Sequence, residues 1–153
     1  MKRRLFPLAA VALLLCMLFF IFSPSTAHAD ALDPYDSGCA NTGYVANSGT
    51  LSVAGYVVYA ENWYSTGCNT NWAEIWWNGG SAVQTGVAIY GSSGTRCYPT
   101  SCGFYTGASG GYYTGGLSPS WTDMINGTEV TYVLLCIKAD GQTTCSPNPW
   151  LPA

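Results

Sequence analysis

Tyr64-Ser65-Thr66-Gly67-Cys68-Asn69-Thr70-Asn71-Trp72-Ala73-Glu74-Ile75-Trp76-Trp77 reads as the end of one strand, a Gly-Cys-Asn turn and a second strand rich in tryptophan. The stretch holds one cysteine, three of the six tryptophans and one of the eight acids. From Thr70 onward the side chains alternate. Trp72, Glu74 and Trp76 fall on one face, and Ala73, Ile75 and Trp77 on the other. A hairpin of this kind, polar and apolar by turns, predicts an antiparallel sheet with neighbouring strands on both sides.

Those strands are legible outward from it. Tyr56-Val57-Val58-Tyr59-Ala60-Glu61-Asn62-Trp63-Tyr64 leads into the turn and is rich in aromatic and β-branched residues. Ala82 to Tyr90 and Gly127 to Ala139 read as further strands. Asn78-Gly79-Gly80-Ser81 and Gly91-Ser92-Ser93-Gly94 supply turns. From Gly103 to Gly116 the composition is Gly, Tyr and Thr, which predicts short irregular strands or a long loop. Leu117-Ser118-Pro119-Ser120-Trp121-Thr122-Asp123-Met124 follows as a proline break into a short apolar stretch. No apolar pattern of period 3.6 lasts long enough for an ordinary helix. The expected fold is all-β, a small disulfide-stapled antiparallel sandwich or barrel. Asp30 to Asp36 and Pro147 to Ala153 read as loose ends.

The first 29 residues read as a cleaved secretory signal peptide. Lys2-Arg3-Arg4 is a basic start, and Leu8 to Phe22 is an unbroken apolar run. Ser23-Pro24-Ser25-Thr26 breaks it, and Ala27-His28-Ala29 is a small-x-small cleavage site. A spanning anchor needs about 20 apolar residues, more than this run supplies. Cys16 belongs to that apolar run. Residues 30–153 are then expected as a single extracellular β domain with no membrane anchor. The only histidine, His28, leaves with the leader, and of the five basic residues only Arg96 and Lys138 stay. Two cations against eight acids give the remaining chain a net charge of −6. Nucleic acid is excluded as a partner, because that affinity rests on Lys and Arg neutralising phosphates. Anionic lipid is disfavoured for the same reason.

Six cysteines in an exported domain read as three disulfides. Asp140-Gly141 is a strong two-residue hairpin turn, and counting outward from it sets Cys136 opposite Cys145. Cα atoms at such a position lie about 4.5 Å apart, within disulfide reach. Cys97-Tyr98-Pro99-Thr100-Ser101-Cys102 is a short loop able to close on itself, which leaves Cys39 for Cys68. A zinc site would want two close Cys/His pairs, and this chain offers only Cys97 with Cys102. Disulfides are the better reading, and no cofactor is expected.

Without histidine or a free thiol, Ser-His-Asp and Cys-His catalysis are excluded. Gly107-Ala108-Ser109-Gly110-Gly111 has no following lysine and no strand-to-helix context, so it is no phosphate cradle. One catalytic reading survives, a carboxylate pair for glycoside cleavage drawn from Glu61, Glu74, Asp123 and Glu129. Its plain rival is that these are solvent-facing strand residues. A binding module is the stronger expectation. After the leader, 18 aromatics remain (six Trp, 11 Tyr and Phe104), and Tyr and Trp offer flat apolar faces with a polar tip. The candidate binding residues are Trp63, Trp72, Trp76, Trp77, Tyr105, Tyr112, Tyr113, Glu61 and Glu74. Trp76-Trp77, Tyr105 and Tyr112-Tyr113 are expected to be the exposed ones. The ligand expected is cell-wall polysaccharide or an extracellular protein. Asp30, Asp33 and Asp36 gather near the new N-terminus as potential calcium ligands, without EF-hand spacing. Asn126-Gly127-Thr128 matches a glycosylation sequon.

Two motifs carry a family resemblance. Leu32-Asp33-Pro34-Tyr35-Asp36-Ser37-Gly38-Cys39 resembles the entry motif, and Tyr64-Ser65, Cys68 and Asn71-Trp72-Ala73 the central motif, of YjfA-like secreted bacterial proteins (domain of unknown function 2690). Trp121-Thr122-Asp123-Met124 adds a fainter match, and the resemblance spans nearly all of residues 30–153. It implies a disulfide-bonded extracellular β domain, which a Cys39–Cys68 bond fits, and a bacterial source in which the sequon is idle. The family tends to carry arginine where this chain has Trp63 and Glu74, so a role resting on those cations does not transfer. It has no established activity.

Overall fold

The computed structural model describes residues 32–77, 82–98, 105–106 (backbone only) and 119–153. Among the described residues, the first element is a 3₁₀ turn over Cys39–Thr42. The described residues form ten strands: β1 (Gly43–Val53), β2 (Tyr56–Ser65), β3 (Thr70–Trp77), β4 (Gln84–Gly91), β5 (Gly94–Tyr98), β6 (Tyr105–Thr106), β7 (Ser120–Trp121), β8 (Ile125–Asn126), β9 (Tyr132–Ala139) and β10 (Gln142–Cys145). They form two antiparallel sheets. The first runs β1-β2-β3-β7, with β8 also on β3; the second runs β10-β9-β4-β5, with β6 also on β4.

The hairpin that organises the sequence is the centre of the first sheet. β2 and β3 pair from Ser65↔Thr70 outward to Val58↔Trp77. Asn69, at φ 53°, takes the left-handed turn position that asparagine tolerates. On one side β3 presents Ala73, Ile75 and Trp77 inward. These meet Val58 and Ala60 of β2, Val87 and Ile89 of β4, and Val133, Leu135 and Ile137 of β9 in a single buried cluster. Side chains from both sheets build one core, so the architecture is a two-sheet sandwich rather than a closed barrel. Asp140 and Gly141, both at positive φ, make the tight turn joining β9 to β10. Cys136 and Cys145 pair across it with Cα atoms 4.0 Å apart and are disulfide-bonded.

Several elements lie beyond the expected ones. β1 forms an 11-residue edge strand paired along β2, with a bulge between Val45 and Asn47. β5 continues from the Gly91–Gly94 turn back along β4. The strand expected from Gly127 begins at Tyr132, because the chain bends over residues 127–129 and is irregular at 130–131. Neither end is loose in the manner expected. Cys39 and Cys68 are bonded, with Cα atoms 5.7 Å apart, and tie residues 32–42 to the β2–β3 turn. At the other end, the Val133 amide donates to the Trp150 carbonyl at 2.9 Å, and Thr131 and Ala153 exchange backbone bonds at 2.9 and 3.0 Å. Fully buried Asn62 donates to the Leu151 carbonyl at 2.9 Å and to Thr131 Oγ1 at 3.2 Å. A buried amide must find such partners, and the tail supplies them. Cys102 lies outside the described residues, so the expected Cys97–Cys102 bond does too; Cys97 itself is buried in β5.

Candidate functional site on the outer face of the first sheet

The face of β2 and β3 turned away from the core carries three directly opposed pairs. Trp63 faces Trp72, Glu61 faces Glu74, and Tyr59 faces Trp76. The two aromatic pairs stack. The rings of Trp63 and Trp72 lie 5.6 Å apart and 19° from parallel, those of Tyr59 and Trp76 5.6 Å apart and 8° from parallel. Period-two alternation accounts for the arrangement: residues two apart on each strand share a face, and the antiparallel register sets them opposite each other.

One end of this face is covered. Trp72 is fully buried with Cys39 and Met124, and Trp63, Trp121 and Cys68 pack around them. The cover is the N-terminal strap held by the Cys39–Cys68 bond. The Met124 amide reaches the Leu32 carbonyl at 2.9 Å, and Ser65 Oγ reaches the Cys39 carbonyl at 2.9 Å. Gly43 lets the chain run against Trp72, since a Cβ there would come within 2.5 Å of the indole. Tyr35 lies over Trp121 with ring centroids 4.4 Å apart and donates its hydroxyl hydrogen to Glu74 Oε1. Trp121 Nε1 donates to Asp33 Oδ2 at 3.0 Å.

The other end is open. Tyr59 is 42% exposed and Trp76 half-buried. Beside them lies a depression of about 150 Å³ lined by Ser48, Gly49, Thr50, Tyr59, Ala60, Glu61 and Trp76. Ser48 and Thr50 reach this face because β1 pairs them with Glu61 and Tyr59. Glu61 accepts a hydrogen bond from Trp63 Nε1 on Oε2 at 2.8 Å.

Glu74 differs from Glu61 in environment. It is only 3% exposed and accepts hydrogen bonds from Trp72 Nε1 at 2.8 Å and from Tyr35. Burial pushes its pKa above the ordinary carboxylate value, the two donors oppose that shift, and the neighbouring Glu61 carboxylate reinforces it. The Tyr35 phenol is pushed up as well, first by burial and then by its bond to Glu74, so it remains a donor. A raised folded-state value means the folded protein holds the Glu74 proton where the unfolded chain has lost it. Stability from this group is therefore full below the ordinary carboxylate value and falls as pH rises through the raised one. Glu74→Gln keeps a carbonyl acceptor for Trp72 and Tyr35 without the buried charge. We expect it to flatten that decline and to be at least as stable as the parent at neutral pH, measured by urea midpoints across pH. A steeper decline in the variant would contradict the assignment.

The structure sorts the expected site residues. Glu61, Glu74, Trp63, Trp72 and Trp76 come together on one face. Trp77, expected to be exposed, is fully buried in the core, because alternation turns it opposite to Trp76. Trp72 lies under the strap and is equally inaccessible. Tyr105 pairs with Thr85 through β6, and Tyr112 and Tyr113 lie outside the described residues. Glu129 lies between β8 and β9 and reaches across to the β4–β5 turn, where it accepts from the Ser93 amide at 2.8 Å, and Asp123 sits between β7 and β8. Asp33 Oδ1 accepts from the amides of Tyr35 and Asp36 at 2.7 and 3.0 Å, which makes it a turn-capping group. Asp30 lies outside the described residues. Among the described residues, no three His, Cys, Asp or Glu side chains are placed to share a metal ion.

Residue type and local pattern do not by themselves point to Tyr59, Ser48 and Thr50. Tyr59 was recoverable: once Ser65 is set opposite Thr70, counting outward places Tyr59 opposite Trp76. Ser48 and Thr50 depend on β1, whose Gly, Asn and Ser content gives little strand signal. Comparison of the chain with family models, curated proteins and solved structures gives no match in any of the three.

Proposed function

We propose that this is a secreted, non-catalytic binding module that recognises cell-wall glycan through the open end of the first sheet's outer face. The observation that carries this reading is the near-parallel Tyr59–Trp76 pair beside a depression walled by Glu61, Ser48 and Thr50. An aromatic ring offers the flat apolar surface on which the C–H face of a sugar rests, and flanking hydroxyl and carboxylate groups meet its hydroxyls. The two disulfides among the described residues agree with an oxidising, extracellular compartment. Export by the leader and kinship with YjfA-like bacterial proteins are parts of the same proposal, resting on the motifs quoted above.

Glu61 and Glu74 face each other across β2 and β3, the one juxtaposition that favours glycoside hydrolysis. Against that reading, Glu74 lies beneath Tyr35 with Oε1 taken by two donors, so a glycosidic oxygen has no route to it. A binding role needs only the exposed pair.

The test is retention of purified, oxidised protein on insoluble cell-wall material and a panel of polysaccharides. Tyr59→Ala and Trp76→Ala are each expected to weaken retention at least about fivefold, since loss of an aromatic platform removes roughly 1–3 kcal/mol of stacking. Both truncations are at accessible positions and leave the core intact. Absence of retention by the parent on every polymer would overturn the reading.

A further inference from the structure

The open end of the face has an unusual charge environment, and it narrows the class of glycan that the proposed reading allows. Beyond the leader the chain carries two basic residues, Arg96 and Lys138. Both belong to the second sheet, in β5 and β9. None of the residues lining the depression is basic, and Glu61 forms part of its wall. Glu74, directly across from Glu61, is closed off beneath Tyr35, so Glu61 is the carboxylate that the open end presents to a ligand. The face is therefore acidic and aromatic together, with no cation of its own to neutralise it.

We infer that the depression takes a positively charged amino group, and that the preferred ligand is a glycan of amino sugars lacking their N-acetyl groups. This inference rests on the glycan-binding reading above and sharpens it. An ammonium group is drawn to the face of a Tyr or Trp ring by the ring quadrupole, and a carboxylate in the same wall adds direct Coulomb attraction. Glu61 Oε2 is engaged by Trp63 Nε1, which fixes the carboxylate in place and leaves Oε1 for a ligand. A space of about 150 Å³ suits one amino-bearing substituent with part of its ring, the remainder of the sugar lying along Tyr59. Ser48 and Thr50 offer hydroxyls to the neighbouring ring positions. Uronic-acid and phosphate-bearing polymers meet like charge here and are rejected.

The experiment compares retention on a poly-glucosamine matrix with retention on its fully N-acetylated counterpart at matched salt, with poly-lysine as a charge control. The parent is expected to bind the amine polymer about tenfold more tightly than the acetylated one, the sum of a cation–π contact and a partly exposed ion pair. Glu61→Gln keeps an acceptor for Trp63 and is expected to remove that preference without changing the melting temperature. Tyr59→Ala is expected to weaken binding to both glycans. Equal binding of the two polymers by the parent would overturn this inference while leaving the glycan reading intact. Binding to neither would overturn this inference, and the glycan reading falls with it only if the cell-wall material and the polysaccharide panel also fail to retain the protein. Poly-lysine binding as tight as that of the amine polymer, with neither affected by Tyr59→Ala, would show simple charge attraction and overturn the inference.

Discussion

Trp77→Ala is expected to destabilise the protein by about 3–5 kcal/mol, the range for removing a fully buried large aromatic. Small domains have roughly 5–15 kcal/mol in total, so this one change removes a large fraction. Trp77 is 0% exposed, faces Val58 across the β2–β3 ladder and fills space between the two sheets. No small rearrangement of two close-packed sheets refills that volume. Trp76→Ala, one residue away on the opposite face, is expected to cost under about 1 kcal/mol, because a half-exposed ring leaves no closed cavity. Urea unfolding of the two variants side by side reads the difference. A larger loss for Trp76→Ala than for Trp77→Ala would mean the faces are assigned the wrong way round.

Removing the Cys39–Cys68 bond by paired serine substitution is expected to cost about 3–4 kcal/mol, from loop-closure entropy over a separation of 29 residues. The effect has a local signature as well. The bond pins the strap that covers Trp72, and through Tyr35 it holds the lid on Glu74. Its loss should expose Trp72, Trp63 and Trp121 to water, shifting tryptophan emission to the red before global unfolding. The Cys136–Cys145 pair spans only 9 residues in a hairpin already set by its own turn, and paired serine substitution there is expected to cost about 2–3 kcal/mol without the emission shift. Equal effects of the two on emission would contradict the strap's role.

Much of this architecture can be read from local pattern. The β2–β3 hairpin, its alternation and the Cys136–Cys145 register all follow from turn residues and a period of two, because each is set by residues near in sequence. Which face of β3 enters the core is a different matter. Both carry tryptophan, and burial is settled by the second sheet on one side and by residues 32–42 on the other. Trp77 and Trp72 were thus plausible surface residues until those partners were placed. The two ends read as loose from their Pro, Asp and Asn content, yet Tyr35 and Leu151 each dock on partners far along the chain. Such contacts leave no periodic trace. The platform was half legible: Trp76 and Glu61 stand out by type, while Tyr59 emerges only once the register is counted, and Ser48 and Thr50 only with β1 in place.

The central claim is that ligand meets the outer face of the first sheet at Tyr59 and Trp76. Heteronuclear NMR of the indole N–H groups during titration with a soluble amino-sugar oligomer tests it most directly, because each tryptophan reports from a different place. The account predicts that the Trp76 signal moves with saturable dependence on ligand, while those of Trp77 in the core and Trp72 beneath the strap stay in place. Movement at Trp72 or Trp77 with none at Trp76, under conditions where binding is measured, would contradict it.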